Sequence, residues 1–130
     1  MEREVSKSPI ILALDTDSLD TAQRWIEATN SEISTYKAGL EFFLAHGVEG
    51  VSALRNAGNF DLFLDLKLHD IPNTVAGAVR SIKNLRPRFL TVHASGGSKM
   101  ISAATEVDSA IAITAVTILT SLSDDDLNEI

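Results

Sequence analysis

The stretch Leu62-Phe63-Leu64-Asp65-Leu66-Lys67-Leu68 restricts what this chain can become more than any other part of it. It begins as an apolar run of strand type, yet it carries two opposite charges where a buried strand would have Val or Ile. In a strand, residues i and i+2 point to the same face. Asp65 and Lys67 are therefore neighbours on one side, and Leu64, Leu66 and Leu68 lie on the other. Two charges on a buried face are costly unless they are paired, and that cost marks them as functional candidates. Asp70 follows three residues after Lys67, just before a turn at Pro72.

Strand-like and helix-like patterns alternate on both sides of this stretch. Ile10 to Asp15 is an apolar run ending in an acid and reads as a strand buried on both faces, and Asp17 or Ser18 can cap a helix whose inner face holds Leu19, Ala22 and Ile26. Ile33 to Ala38 reads as a second strand, with Lys37 near its end and Gly39 after it. Leu40, Phe43 and Leu44 follow at helical spacing. Gly47 breaks that helix, and Val48, Val51 and Leu54 suggest a second short one closed by Gly58. After the third strand, Val75, Ala78, Val79 and Ile82 recur at i, i+3, i+4 and i+7, an amphipathic helix stopped by Pro87. Phe89 to His93 is a fourth strand, Lys99 to Thr105 a weaker helix, and Ala110 to Leu119 a fifth strand. Ser123 with Asp126 has the spacing of a capping box that opens a last helix.

This alternation predicts a parallel α/β sheet with polar residues at the C-terminal strand ends, the edge at which such folds bind ligands. Those residues are Asp15, Lys37, Asp65 with Lys67, His93, and Thr117 with Thr120. No Gly-x-Gly-x-x-Gly follows the first strand and no Walker motif occurs, which argues against a dinucleotide or P-loop site. A closed (β/α)₈ TIM barrel typically takes about 250 residues, so these 130 residues are expected to form a single domain, 1–130, carrying about the first five βα units of one. The alternative is a small, complete open sheet of five strands.

Composition narrows the function classes. A net charge of −7 argues against a nucleic-acid partner but leaves room for an anionic small substrate in a locally basic site. The chain has no run of about 18 uncharged apolar residues, so no membrane span is expected. Met1 to Ser8 is polar and unlike a signal peptide, and the absence of cysteine excludes thiolate chemistry. Both fit a cytoplasmic protein. His46 and His69 lack a second ligand at metal spacing, so no metal role is assigned; His93 reads as a hydrogen-bonded structural residue. Gly96-Gly97 reads as a turn feeding a helix, Asp124 to Asp126 as a solvated helix start, and Pro72 and Asn73 as a turn and cap.

At Asp65-Leu66-Lys67-Leu68-His69-Asp70-Ile71-Pro72-Asn73-Thr74-Val75 the chain resembles the orotidine 5′-phosphate decarboxylase family. Asp-x-Lys-x-x-Asp is shared with related sugar-phosphate decarboxylases and synthases, some of them metal-dependent. The continuation Ile-Pro-Asn-Thr-Val is similar to the orotidylate enzymes in particular. Ala13-Leu14-Asp15, Tyr36-Lys37-Ala38-Gly39, Val92 to Gly97 and Ala115 to Ser121 agree in order and spacing.

The resemblance implies a homodimeric (β/α)₈ barrel with neither metal nor organic cofactor, converting orotidine 5′-phosphate to UMP and CO₂. It also implies roles. Lys67, Asp65, Asp70 and Lys37 would be catalytic; Asp15, Ile71, Thr74 and Thr120 would join them in binding substrate, Asp15 near the ribose or pyrimidine and Thr120 at the pyrimidine. Asp70 and Thr74 would reach into the partner's site. A glutamine and an arginine that grip the phosphate belong to the family's C-terminal part. Decarboxylation leaves a carbanion at C6, which a nearby ammonium can both stabilise and protonate. Lys67 is the expected donor, within an alternating Lys37–Asp65–Lys67–Asp70 array in which each charge is paired.

Overall fold

The structure is a computed structural model describing residues 7–130; the first six residues of the polar N-terminal stretch lie outside the described residues. Strand β1 (Ser8–Ala13) leads to α1 (Leu19–Thr29), β2 (Ile33–Gly39) to α2 (Leu40–Ala53), and β3 (Asp61–Leu68) to α3 (Pro72–Ile82). Then come β4 (Phe89–His93), α4 (Ser98–Thr105), β5 (Ala112–Val116) and α5 (Asp124–Leu127). Each strand pairs in parallel with the next, in the order β1-β2-β3-β4-β5. A doubly wound sheet reverses its strand order at a switch point. This one does not, and the five strands form a curled half-barrel. Right-handed crossovers in such an order put the helices on one side of the sheet.

The core lies between that side and the helices. Tyr36, Ala38, Leu62, Leu64, Leu66, Leu90 and Val92 alternate along β2, β3 and β4 and meet Ala22, Ile26, Val51, Val75, Val79 and Met100 from the helices. The opposite side carries Lys37, Phe63, Asp65, Lys67 and Thr91. There the rings of Phe63 and Phe89 lie 5.5 Å apart across β3 and β4. The first strand is not buried on both faces as its apolar run suggests: β1 stands at the edge of the sheet, paired only with β2 among the described residues, and Ile10 and Ile11 are about half exposed, at 54% and 47%. No described helix is long and apolar enough to cross a membrane.

Local chemistry sets the element ends. Ser18 caps α1, its side chain accepting from the Thr21 N–H at 3.1 Å. Pro72 takes the first turn of α3, where a missing N–H costs nothing. The capping residue there is Ile71, without a side-chain bond, so Asn73 does not have the expected capping role. Ser123 and Asp126 form a capping box at α5. Two helix and strand readings are corrected. In α2, Phe42 enters the core and Phe43 packs against it partly buried, while Leu40 and Leu44 are exposed; Gly47, at φ 66°, interrupts the helix as its position suggests. The apolar run from Ala110 to Leu119 is strand only over Ala112–Val116; Ile118 and Leu119 lie beyond the strand and line the mouth of the half-barrel.

Candidate active site

The site stands at the C-terminal ends of β1, β2 and β3. Parallel pairing sets Lys37 beside Phe63 and Gly39 beside Asp65. The Leu14 N–H donates to the Lys37 carbonyl at 2.9 Å, which ties the end of β1, and with it Asp15, to β2. Asp15, Lys37, Asp65 and Lys67 line one cleft of about 210 Å³ with Thr16 and Leu40. A second cavity, of about 410 Å³, shares Lys37, Asp65 and Lys67 and extends to Thr91, Thr114 and Thr120. The three charges thus form the wall between a compartment reached by Asp15 and one reached by Thr120.

Asp65 is the hub. Its carboxylate accepts from Lys67 Nζ at 3.0 Å and 2.9 Å, one bond to each oxygen. Lys37 Nζ stands 3.6 Å from Oδ2. Thr91 Oγ1 donates to Oδ1 at 2.7 Å. Only 8% of the residue is exposed. Burial opposes its ionisation, but the Thr91 hydrogen bond, the Lys67 hydrogen bond and charge, and the Lys37 charge outweigh burial and hold its pKa below the ordinary carboxylate range. Asp65 is therefore an anion at neutral pH. It fixes one ammonium by direct contact and draws a second toward the same spot.

Lys67 does not sit in regular strand. Between the pairs Leu64–Leu90 and Leu68–Val92, β3 advances four residues while β4 advances two. This bulge places Lys67 at φ 47°, a left-handed conformation that few residues with a side chain adopt. Its N–H, taken out of the ladder, donates instead to Thr91 Oγ1 at 2.9 Å. Sequence reading missed both the bulge and Thr91. Alternation alone put Asp65 and Lys67 on one face, and a threonine in a strand is unremarkable by itself.

The fourth member of the expected array stands apart. Asp70 is exposed, forms no ion pair among the described residues, and accepts from the N–H of its neighbour Ile71 at 2.7 Å. Within one chain the array is Lys37–Asp65–Lys67. Asp70, Ile71 and Thr74 are all exposed at the start of α3, Ile71 to 65%. The His93 ring makes no hydrogen bond among the described residues; it faces His69 instead, with centroids 5.4 Å apart. His46 Nε2 meets the Asp17 carbonyl.

The sequence profile of the orotidine 5′-phosphate decarboxylase / HUMPS family matches residues 8–130. An orotidine 5′-phosphate decarboxylase of Thermobifida fusca is 53% identical over 117 residues, covering 90% of this chain and 50% of the relative. That of Ehrlichia canis is 48% identical over 125 residues, 95% of this chain and 54% of the relative. The crystal structure of orotidine 5′-phosphate decarboxylase from Lactobacillus acidophilus superposes with a TM-score of 0.80 at 37% identity, over 92% of this chain and 57% of that one. The chain thus spans about half the length of the curated relatives it matches. With its sequence matched from Ser8 to its last residue, and its half-barrel superposing on a solved member, this chain belongs to the orotidine 5′-phosphate decarboxylase / HUMPS family.

Proposed function

We propose that the protein is a carbon–carbon lyase that decarboxylates orotidine 5′-phosphate to UMP in pyrimidine biosynthesis, with no metal or organic cofactor, as a homodimer in the cytoplasm. The observation that carries this reading is the Lys67 ammonium, held 2.9–3.0 Å from both oxygens of Asp65 at the mouth of the half-barrel. The C6–carboxylate bond breaks, CO₂ leaves, and the electron pair stays on C6. Lys67 stabilises that pair and gives C6 a proton, then recovers one from water. Asp65 keeps the ammonium aimed, and Lys37 balances the charge of Asp65 across β2 and β3. Asp15 reaches the ribose or pyrimidine from one compartment and Thr120 the pyrimidine from the other, an assignment supported by the two cavities that meet at Lys67.

The exposed trio Asp70, Ile71 and Thr74 is assigned to the site of a second copy. This accounts for an acid in the motif that takes no part in its own chain's array. Residues 1–130 act as one domain, the N-terminal part of a TIM barrel. The resemblance puts the phosphate-gripping glutamine and arginine in the family's C-terminal part, and phosphate binding energy serves the remote reacting carbon.

The test is CO₂ release from orotidine 5′-phosphate, measured on the chain alone and mixed with the C-terminal half of the Thermobifida fusca relative. Activity in the mixture that Lys67→Ala abolishes, with the fold unchanged by circular dichroism, is the expected result. Lys67→Ala with undiminished turnover defeats the assignment. No turnover in either arm favours a role as a non-catalytic fragment.

A further inference from the structure

Thr91 is the most buried polar side chain near the charges, 2% exposed, and its single hydroxyl both donates and accepts. It donates to Asp65 Oδ1 at 2.7 Å and accepts from the Lys67 N–H at 2.9 Å. One oxygen atom on β4 is thus bonded to a carboxylate and to a backbone amide on β3, two residues apart. The amide is the one that the bulge removes from the ladder, in a residue whose left-handed backbone is itself unfavourable for a side chain with a Cβ. A buried donor without a partner would add to that cost. Without the hydroxyl, then, neither the bulge nor the carboxylate's orientation has its anchor.

We infer that Thr91 is a positioning residue, whose hydroxyl sets the Asp65 carboxylate and the Lys67 backbone together so that the ammonium points into the cavity. Its meaning for turnover rests on the decarboxylase reading above; its meaning for geometry does not. Thr91 touches no reacting atom. It acts through the two residues that do, and an ammonium misplaced by about 1 Å can cost on the order of 100-fold in rate.

Thr91→Val keeps the shape and removes the hydroxyl; Thr91→Ser restores it. Three readouts apply to each: the ¹³C titration of the Asp65 carboxyl, hydrogen exchange of the Lys67 amide, and kcat and KM for orotidine 5′-phosphate in the active mixture. The other groups bonded or charged toward Asp65, Lys37 from β2 and Lys67 from β3, are unchanged in both variants. In Thr91→Val the Asp65 midpoint should rise and the Lys67 amide should exchange about tenfold faster. The kcat should fall by on the order of 10–100-fold with KM within about threefold. Thr91→Ser should return all three toward wild type.

Wild-type titration and exchange in Thr91→Val overturn the inference, as does a Thr91→Ser protein as damaged as Thr91→Val. If the wild type releases no CO₂, the decarboxylase reading fails, while titration and exchange still decide the role of Thr91. If Thr91→Val does not fold, Thr91→Cys, a weaker donor of similar shape, carries the same readouts, with intermediate values expected and wild-type values contrary.

Discussion

Lys37 and Lys67 reach the same carboxylate oxygen from neighbouring strands, Lys67 at 2.9 Å and Lys37 at 3.6 Å from Asp65 Oδ2. The ammonium groups are tolerable neighbours only because that anion lies between them. Asp65→Asn removes the charge, keeps the size, and leaves two cations facing each other. Both lysines are about one-third exposed, so water screens part of the repulsion. A loss of about 1–3 kcal/mol is expected, below the full cost of breaking a deeply buried pair. Lys37→Met, which removes the more distant cation, should cost less. Urea unfolding of both variants checks the order, and Lys37→Met as the more damaging change would contradict it.

The lowered pKa of Asp65 has a stability consequence with a definite sign. In the unfolded chain an aspartate takes up a proton near pH 3.9; in the folded chain it resists protonation to lower pH. The stabilisation is therefore fully present above about pH 5 and is lost as pH falls through the unfolded value toward the folded one. Other carboxylates also titrate there, so the readout is a difference. Between pH 6 and pH 3 the wild type should lose more stability than Asp65→Asn. Parallel pH curves would show that Asp65 carries no such linkage.

Gly96 marks a tight approach rather than a flexible joint. A Cβ there would stand 2.2 Å from Met100 Sδ and Cε, and Met100 is fully buried. Methionine is adaptable, but in a filled core its displacement costs about 1–3 kcal/mol. Gly96→Ala should lose roughly that amount by thermal or urea unfolding. In a Met100→Ala background the same change should cost distinctly less, because the obstructing atoms are gone. Equal costs in both backgrounds would place the penalty elsewhere.

At the other end of β3, Arg55 closes the base of the sheet. Its guanidinium donates to the Phe60 carbonyl at 3.2 Å and the Leu85 carbonyl at 2.8 Å, and lies 5.4 Å from the centre of the Phe60 ring. Two separate loops depend on one planar fork. Arg55→Met should cost about 2–3 kcal/mol, and Arg55→Lys should recover little, since a single ammonium cannot span both carbonyls. Chemical denaturation of the pair tests it; a lysine variant as stable as wild type would reduce the fork to a point charge.

The sequence was legible where one physical pattern had one outcome. Phe89–His93 is bounded by Pro87 before it and Gly96-Gly97 after it, and the strand falls within those limits. Ser123 with Asp126 satisfies donors that only a helix start exposes. Legibility ended where several arrangements share a pattern. Leu40, Phe43 and Leu44 fit a helical face, but it is Phe42, with Phe43 partly buried beside it, that meets the core, a choice set by how the helix lies on the sheet and not by spacing along it. Ala110 to Leu119 is uniformly strand-like, yet its last residues line cavities at the site. Asp65 and Lys67 announced themselves by charge. Thr91 was hidden because its importance lies in what its hydroxyl spans across two strands, which spacing along one strand does not express. Asp70 reads, from the motif's resemblance, as serving a second copy's site, and within its own chain the turn before α3 leaves it exposed, its carboxylate bonded only to the Ile71 N–H among the described residues.

The bulge itself makes the last prediction, a comparison between two substitutions at Lys67. Both Lys67→Ala and Lys67→Gly delete the ammonium, so both lose the contact with Asp65 equally. In an ordinary strand interior glycine is the worse choice, by roughly 0.5–1 kcal/mol, because it loses more freedom on folding. At φ 47° the order inverts. Alanine keeps a Cβ against the following carbonyl, a cost of about 1–2 kcal/mol that glycine escapes. Lys67→Gly should therefore be at least as stable as Lys67→Ala by urea unfolding, with an advantage of up to about 1 kcal/mol. Both should be inactive if Lys67 is the proton donor. A glycine variant clearly weaker than the alanine variant would mean that the left-handed bulge is not maintained in solution. The geometry by which Thr91 and Asp65 aim the lysine would then have to be redrawn.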